Sequence, residues 1–238
     1  MIEKRSFSSL GHADHGWLNA RHHFSFSSYQ DPDRMGWGSL RVWNDDEIAP
    51  QSGFPTHPHR DMEIITSVRQ GAITHRDSVG NEGHTLAGDV QVMSAGTGIQ
   101  HSEFNLSDEE TRLFQIWIEP TEKGGTPRWD AKEFPKGDRA GSLEVLASGF
   151  DEDLENGALW IRADARLSGA TLTKGDAITH ALADGYRGYL VVSEGRLRVN
   201  GVDLDTRDAA AISDITELSI EALDDVEFLL AEVPAVTH

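Results

Sequence analysis

The stretch Thr56-His57-Pro58-His59, followed further along by His101-Ser102-Glu103, carries the strongest signal in this chain. Residues i and i+2 of a β-strand point to the same face, so each segment can aim two donor groups at one point. Two such strands side by side would surround one ion with three imidazoles and one carboxylate inside a β-barrel. The sequence therefore predicts a metal site whose ligands are His57, His59, His101 and Glu103.

A His-x-His pair alone is weak evidence, because the chain has 11 histidines and such pairs also arise by chance. The ordinary alternative is a set of core histidines that are satisfied by hydrogen bonds. The surroundings favour the metal site: Gly53 precedes the first pair, and Glu63 and Gly71 follow it. The third histidine ends the glycine-containing segment Gly88–His101. This arrangement resembles the two sequence motifs of the cupin superfamily.

The resemblance narrows to the pirin family, densely over the first half of the chain and thinly over the second. It rests on Gly11–Leu18, His23–Phe26, Asp31-Pro32, Met35–Gly38, Leu40–Val42, Asn44–Asp46, Thr56–Ile64 and Met93–Glu103. The resemblance implies two cupin barrels with a metal in the N-terminal barrel only. It also implies the four ligands named above and a kinship in ligand set with cupin-type quercetin 2,3-dioxygenases.

The strand pattern independently predicts an all-β barrel or sandwich, because short β-rich segments alternate with glycine, aspartate and proline. Together with the resemblance, this implies a bicupin of two antiparallel jelly-roll barrels. We place a metal-binding domain at 1–135 and a domain without metal ligands at 136–238, joined through Glu119–Asp138. An internal echo supports duplication. The predicted strands are Leu40–Trp43, Glu63–Val68, Ala72–Arg76, Asp89–Met93, Arg112–Ile118, Ser142–Ala147, Leu159–Ala163, Tyr189–Val192, Leu197–Asn200, Ala209–Ile212 and Val226–Glu232.

The echo relates Val68–Thr74 to Val192–Arg198 and Gly88–Ser94 to Arg207–Ser213. Projected onto the second half, the two histidine motifs fall near Ala181–Ala183 and on Ile220–Ala222, where no ligands stand. His180 lies beside the first of these positions. A single histidine without partners is more often a surface or core residue than a metal ligand, so we expect the second barrel to be empty.

Composition limits the other possibilities. The chain of 238 residues contains no cysteine, so disulfides and thiolate metal sites are impossible. Its formal net charge of −19 is spread over both halves and opposes binding to phosphate backbones, so we expect no direct nucleic-acid partner. The start of the chain lacks the apolar region of a signal peptide, and no apolar stretch is long enough for a membrane span. We predict a cytoplasmic protein with no membrane association.

The predicted site suggests a reaction. A divalent ion with three neutral imidazoles and one carboxylate keeps a net charge of about +1, which favours an anionic substrate oxygen. Glu103 could accept the proton that an enol or phenol loses on binding. The pirin resemblance then implies 2,3-dioxygenation of flavonols such as quercetin, with dioxygen as co-substrate and release of carbon monoxide. Fe(II) is the favoured cofactor, and Mn, Co, Ni, Cu and Zn also suit the donor set.

Two other functions stay open. The chain could be a redox-sensing regulatory protein whose metal changes its binding to protein partners, or a metal-dependent isomerase or hydrolase.

Within the site, we favour Glu103 over Glu63 as the carboxylate ligand. Residues expected to orient the ligands are Asp61, Glu63, Asn105 or backbone carbonyls, and expected pocket walls are Phe54, Met93 and Phe104. The remaining histidines, which are expected to have hydrogen-bonding roles, are His12, His15, His22, His23, His75 and His84.

Overall fold

A computed structural model describes residues 1–134 and 136–235 of the protein. Two short 3-10 helices, Phe7–Ser9 and Lys136–Arg139, and one α-helix, α1 (Asp151–Glu155), accompany the strands. The strands are β1 Ile2–Arg5, β2 Gly11–Asp14, β3 Leu18–His22, β4 Leu40–Ile48, β5 Ser52–His59, β6 Glu63–Gln70, β7 Ala72–Asp77, β8 Glu82–Leu86, β9 Val90–Ser94, β10 Ile99–Asn105, β11 Thr111–Ile118, β12 Arg128–Lys132, β13 Glu144–Ser148, β14 Leu159–Trp160, β15 Arg166–Leu172, β16 Ala177–Ala181, β17 Tyr186–Glu194, β18 Leu197–Val199, β19 Val202–Leu204, β20 Ala209–Ile212, β21 Glu217–Ala222 and β22 Val226–Pro234.

The strands form two barrels, each made of one seven-stranded and one four-stranded sheet. The first barrel contains the sheets β12-β9-β6-β11-β4-β3-β2 and β5-β10-β7-β8. The second contains β1-β20-β17-β22-β15-β13-β14 and β16-β21-β18-β19. The orders match strand for strand, so β5 and β10 correspond to β16 and β21. The prediction of an all-β fold with two duplicated barrels is confirmed.

Alternation of side chains explains why these segments form strands with one buried face. In β21, Leu218, Ile220 and Ala222 are buried while the residues between them are exposed. Strand β11 departs from this pattern and is buried on both faces over most of its length. It departs because one face lines the interior of the first barrel and the other packs against the second barrel.

At one edge of each seven-stranded sheet, the barrel is extended by a strand from outside its own half of the sequence or from the joining segment. β1, from the start of the chain, pairs antiparallel with β20 in the second barrel. In the segment predicted to join the halves, β12 extends the first barrel by pairing with β9. The predicted boundary between 135 and 136 stays a prediction, and its residue 135 lies outside the described residues. Among the described residues, no helix is long and apolar enough to span a bilayer.

The apolar clusters separate the two interiors. One large cluster, which includes Trp43, Phe114 and Tyr189, fills the junction between the barrels. A second cluster, which includes Ile220 and Phe228, fills the interior of the second barrel. Among the described residues, two small apolar clusters lie in the interior of the first barrel. The site described next lies between these small clusters.

Candidate metal centre

Strands β5 and β10 bring the two histidine motifs together. His101 lies opposite His57 in the antiparallel register, and Ile99 lies opposite His59. The register then shifts by one residue, so that Glu103 lies opposite Phe54. This bulge falls at Pro55, which can sit there because β5 is the edge strand of its sheet and proline cannot donate a ladder hydrogen bond.

A glycine lets the two strands approach at this point. A Cβ at Gly53 would collide with the carbonyl oxygen of Glu103 and with the backbone of Phe104. Any larger residue would therefore push β5 away from β10 and separate the histidine motifs. The glycine that precedes the first motif thus has a direct structural role in the site.

Three imidazoles converge as the sequence predicts. Donor atoms of His57, His59 and His101 all lie within 4.8 Å of one another. The Nε2 atoms of His57 and His101 are 3.0 Å apart. Nε2 of His59 is buried and has no hydrogen-bonding partner among the described residues. A buried imidazole nitrogen without a partner is costly, and a bound cation at the point where the three rings meet would satisfy it.

Protonation states suit metal binding. Nδ1 of His57 lies 2.7 Å from the carbonyl oxygen of Pro55, which can only accept, so this nitrogen carries the proton and Nε2 keeps its lone pair. Burial, helped by the neighbouring imidazoles, lowers the pKa of His59 to about 4 and that of His101 to about 2. Neutral imidazole is the form that binds a metal, so the donor set fits a divalent transition ion.

Glu103 lies deeper in the barrel than the sequence pattern implies. It is buried, and its carboxylate accepts hydrogen bonds from Gln91 (2.7 Å), Gln115 (2.8 Å) and Thr66 (3.3 Å). Burial raises the pKa of Glu103 to about 7. Its oxygen lies within 4.8 Å of nitrogens of His101 and His75, and this second group does not include His57 or His59. The role of Glu103 as fourth ligand therefore stays a prediction.

Sequence reasoning missed a pair of residues behind the metal-facing rings. His75 on β7 donates from Nε2 to Oδ2 of Asp77 (2.9 Å), and its Nδ1 lies 3.4 Å from Nδ1 of His101. Its ring stacks on Trp129 with 5.0 Å between ring centroids and 9° between planes. The signal was present, because His75 and Asp77 stand at i and i+2, like the ligand pairs, but the sequence pattern predicts only an unspecified hydrogen-bonding role for His75.

The side chains expected to orient the ligands make hydrogen bonds to other groups. Asp61 accepts from the backbone N–H of Gly124 at 2.7 Å, and Asn105 caps the loop between β10 and β11. Glu63 accepts from Ser94 at 2.6 Å and from the backbone N–H of Arg162 at 3.1 Å. Glu63 thus ties the first barrel to the segment after β14. Of the expected groups, only a backbone carbonyl, that of Pro55, contacts a predicted ligand.

The surface beside the imidazoles is open. A depression of about 680 Å³ is lined by residues that include His59, Arg60 and Gln100. Among the expected pocket walls, Phe54 has its ring centroid 6.4 Å from that of His57, and Met93 is buried in a small apolar cluster. Phe104 follows Glu103 directly and so points to the opposite face of β10. It is not a wall of this site.

His180 does not join any such cluster. It lies on β16, with Nε2 3.1 Å from Oε1 of Glu232. Among the described residues, both groups of three or more side chains that could hold an ion come from the first barrel. The expectation that the second barrel holds no metal stays a prediction.

The fold and the imidazole cluster define a two-barrel cupin protein. Residues 3–118 match the Pirin family model, and residues 145–233 match the model described as the quercetinase C-terminal cupin domain. The chain is 60% identical over 232 residues to the pirin-like protein of Caulobacter vibrioides, covering 98% of this chain and 99% of that one. The chain belongs to the pirin family.

Two relatives from Escherichia coli bear on the site. The quercetin 2,3-dioxygenase of strain K12 is 44% identical over 237 residues, covering 99% of this chain and all (100%) of that one. The crystal structure of the bacterial pirin YhhW in complex with nickel(II) superposes with a TM-score of 0.93 at 43% identity, covering 99% of this chain and 100% of that one.

Proposed function

We propose that the protein is a metal-dependent dioxygenase that cleaves flavonols such as quercetin, with His57, His59, His101 and Glu103 holding one divalent ion. The observation that carries this proposal is the convergence of three imidazoles on one point, one of them with a buried nitrogen that has no partner among the described residues. The relatives named quercetin 2,3-dioxygenase and the nickel(II) complex of a relative support the same assignment.

The bound ion supplies Lewis acidity toward a substrate oxygen and, if redox-active, a route for electrons to dioxygen. The protein's own groups supply the rest. The depression that His59 lines could hold a flat aromatic molecule next to this imidazole. Trp117, whose ring lies edge-on to His59 with 4.9 Å between centroids, offers an apolar surface next to them.

Glu103 would handle the proton in this proposal. Glu103 is the carboxylate of the proposed site, and a carboxylate can accept a proton as a general base and return it as a general acid. Gln91 and Gln115 fix the carboxylate from two sides, so its position does not depend on substrate. We propose that Glu103 accepts the proton of the flavonol hydroxyl and returns it to the cleaved product.

The test is turnover. The metal-free protein is loaded separately with Fe(II), Mn(II), Co(II) or Ni(II) and given quercetin, and dioxygen uptake and carbon monoxide release are measured. We expect one carbon monoxide per dioxygen with at least one metal, Fe(II) being our preferred ion. The metal-free protein and a His57→Ala variant serve as controls. Absence of carbon monoxide with all four metals would remove the dioxygenase proposal.

The same preparations address the regulatory alternative. If the protein acts through a redox-dependent partner, Fe(II) and Fe(III) forms should retain different proteins from a cell extract, and neither form should turn over quercetin. Turnover in one form would favour the enzyme.

A further inference from the structure

We infer that His75 and Asp77 fix the tautomer of His101, so that Nε2 of His101 presents a lone pair to the metal ion. The inference rests on the proposed metal site but not on the proposed reaction. His75 and Asp77 are positioning residues here, because neither faces the point where the three predicted imidazole ligands meet.

The assignment of protons starts from the carboxylate. Asp77 can only accept, so the 2.9 Å contact from Nε2 of His75 places a proton on that nitrogen. Nδ1 of His75 is then an acceptor. It lies 3.4 Å from Nδ1 of His101, so this contact places the proton of His101 on Nδ1. Nε2 of His101, on the other side of the ring, is left with a lone pair toward His57. An outer carboxylate that orders an imidazole in this way is a common support of metal sites.

Asp77, the residue of this hydrogen-bonded series that lies farthest from the predicted ligands, is itself held in place. The side chain of Asp77 is inaccessible to solvent. Its Oδ1 accepts from the backbone N–H groups of Val79 and Asn81, each at 3.0 Å, and its Oδ2 accepts from the side chain of Asn81 at 2.9 Å. These donors hold the carboxylate in its ionised, accepting form. The turn between β7 and β8 is therefore shaped around this one carboxylate.

The ring of His75 is equally fixed. Trp129 of β12 stacks on it almost in parallel. Gly83, opposite His75 in the β7–β8 ladder, makes the room, because a Cβ at this glycine would collide with the indole ring. A side chain held on one face by an indole and at one edge by a carboxylate can offer its remaining nitrogen in only one direction.

The grouping of His75, His101 and Glu103 within 4.8 Å also suggests a different role, that of a second set of ligands. Its hydrogen bonds argue against this. Nε2 of His75 is engaged by Asp77 and is not free to bind an ion. The nitrogens of His75 and His101 that face each other are 3.4 Å apart, a long contact that is still within hydrogen-bonding reach. The geometry is that of a hydrogen-bonded relay.

The experiment compares His75→Phe and Asp77→Asn with the parent chain. Phenylalanine keeps a ring against Trp129 but has no nitrogen, and Asp77→Asn keeps His75 while removing the anion. His84→Phe is the matched control, since His84 belongs to the same β7–β8 hairpin and its side chain hydrogen-bonds to Thr74 and not to a predicted ligand among the described residues. Dissociation constants for Ni(II) and Co(II) are measured by chelator competition, and melting temperatures are measured without metal.

We expect His75→Phe and Asp77→Asn to weaken metal binding by about 10- to 100-fold, the range seen when such outer partners are removed. His84→Phe should bind like the parent. The visible spectrum of bound Co(II) should stay the same in all variants, because the ligands are unchanged. A changed Co(II) spectrum in His75→Phe would make His75 a ligand and overturn the inference.

Nitrogen-15 NMR of the zinc-loaded parent reads the tautomer directly. A protonated Nδ1 on His101 is expected, and a bare or metal-bound Nδ1 would refute the relay. Parent-like affinity in both variants would also refute it, whether or not quercetin is cleaved. Conversely, weakened affinity in a protein that releases no carbon monoxide would uphold the relay and reject the dioxygenase.

Discussion

The two barrels share one strand order but have interiors of opposite chemistry. In the first, His57 of β5 faces His101 of β10, and a band of buried polar side chains continues to Glu103. In the second, the matching strands β16 and β21 place Ile178 opposite Ile220, inside a continuous apolar cluster. The capacity to hold an ion therefore depends on a few interior side chains, while the sheets that carry them stay the same.

The two interiors also contribute differently to the stability of the protein. Each fully buried aliphatic side chain contributes about 1.5–3 kcal/mol through removal from water. The second barrel has many of these, and the first gives up several interior positions to imidazole, amide and carboxyl groups. The large shared cluster between the barrels joins the apolar barrel to the polar one.

The largest expected effect is loss of metal from the first barrel. His101→Ala removes the imidazole at the centre of the cluster and should weaken metal binding at least about 100-fold, since outer partners alone are worth 10- to 100-fold. His180→Ala, in the second barrel, should leave the dissociation constant unchanged. Chelator competition with Ni(II) measures both. Equal losses in the two variants would abolish the contrast between the barrels.

The converse change places an imidazole in the apolar interior. Ile220→His should lower the free energy of unfolding by about 3 kcal/mol at pH 7, because the position is fully buried and its cluster offers no hydrogen-bonding partner. Ile220→Val, which stays apolar, should cost about 1 kcal/mol. Urea denaturation of the metal-free proteins measures both values. If the two variants were equally stable, the second interior would be more tolerant of polar groups than its packing indicates.

The smallest expected effect concerns the junction between the barrels. His23 is fully buried there, bonds to the hydroxyl of Tyr189 at 2.9 Å, and has its pKa held well below 6.5, chiefly by burial and then by Arg5 and other cations. Below pH 6.5 the unfolded chain takes up a proton at His23 and the folded chain does not, so stability falls as the pH falls. His23→Phe removes this contribution.

The stability difference between parent and His23→Phe should therefore change by about 1 kcal/mol, in favour of the variant, between pH 6.5 and 5.5. Urea denaturation at these pH values measures it. Tyr189→Phe is the matched control, because it removes the same hydrogen bond but keeps the imidazole and hence the acid sensitivity. Parallel pH curves for the parent and His23→Phe would show that His23 is not kept neutral at the junction.

The sequence was sufficient for the fold and for most of the imidazole cluster. Period-2 patterns and the internal echo predict the duplicated barrels, and the strand rule for i and i+2 brings His57 and His59 to one face. The projection of the motifs onto the second half reaches Ala181, the last residue of β16, and Ile220–Ala222 of β21. These results depend on local periodicity, which a single sequence displays.

The rest depends on contacts between distant segments. The bulge at Pro55 sets Glu103 against Phe54, and no local pattern reveals this shift of register. The link from His75 to His101 requires β7 and β10 to pair, and the stack on Trp129 requires β12 to enter the sheet. The segment that contains Trp129 looked like a connection because of its glycine, proline and charge content.

The pairing of β1 with β20 has a consequence for biosynthesis. Ile2–Arg5 are translated long before their partner strand, Ala209–Ile212. Strand β1 must therefore stay unpaired while the residues between the two strands are made, and an unpaired strand can associate with other chains. Separate expression of the C-terminal half would leave β20 without this partner, as an open sheet edge that favours aggregation.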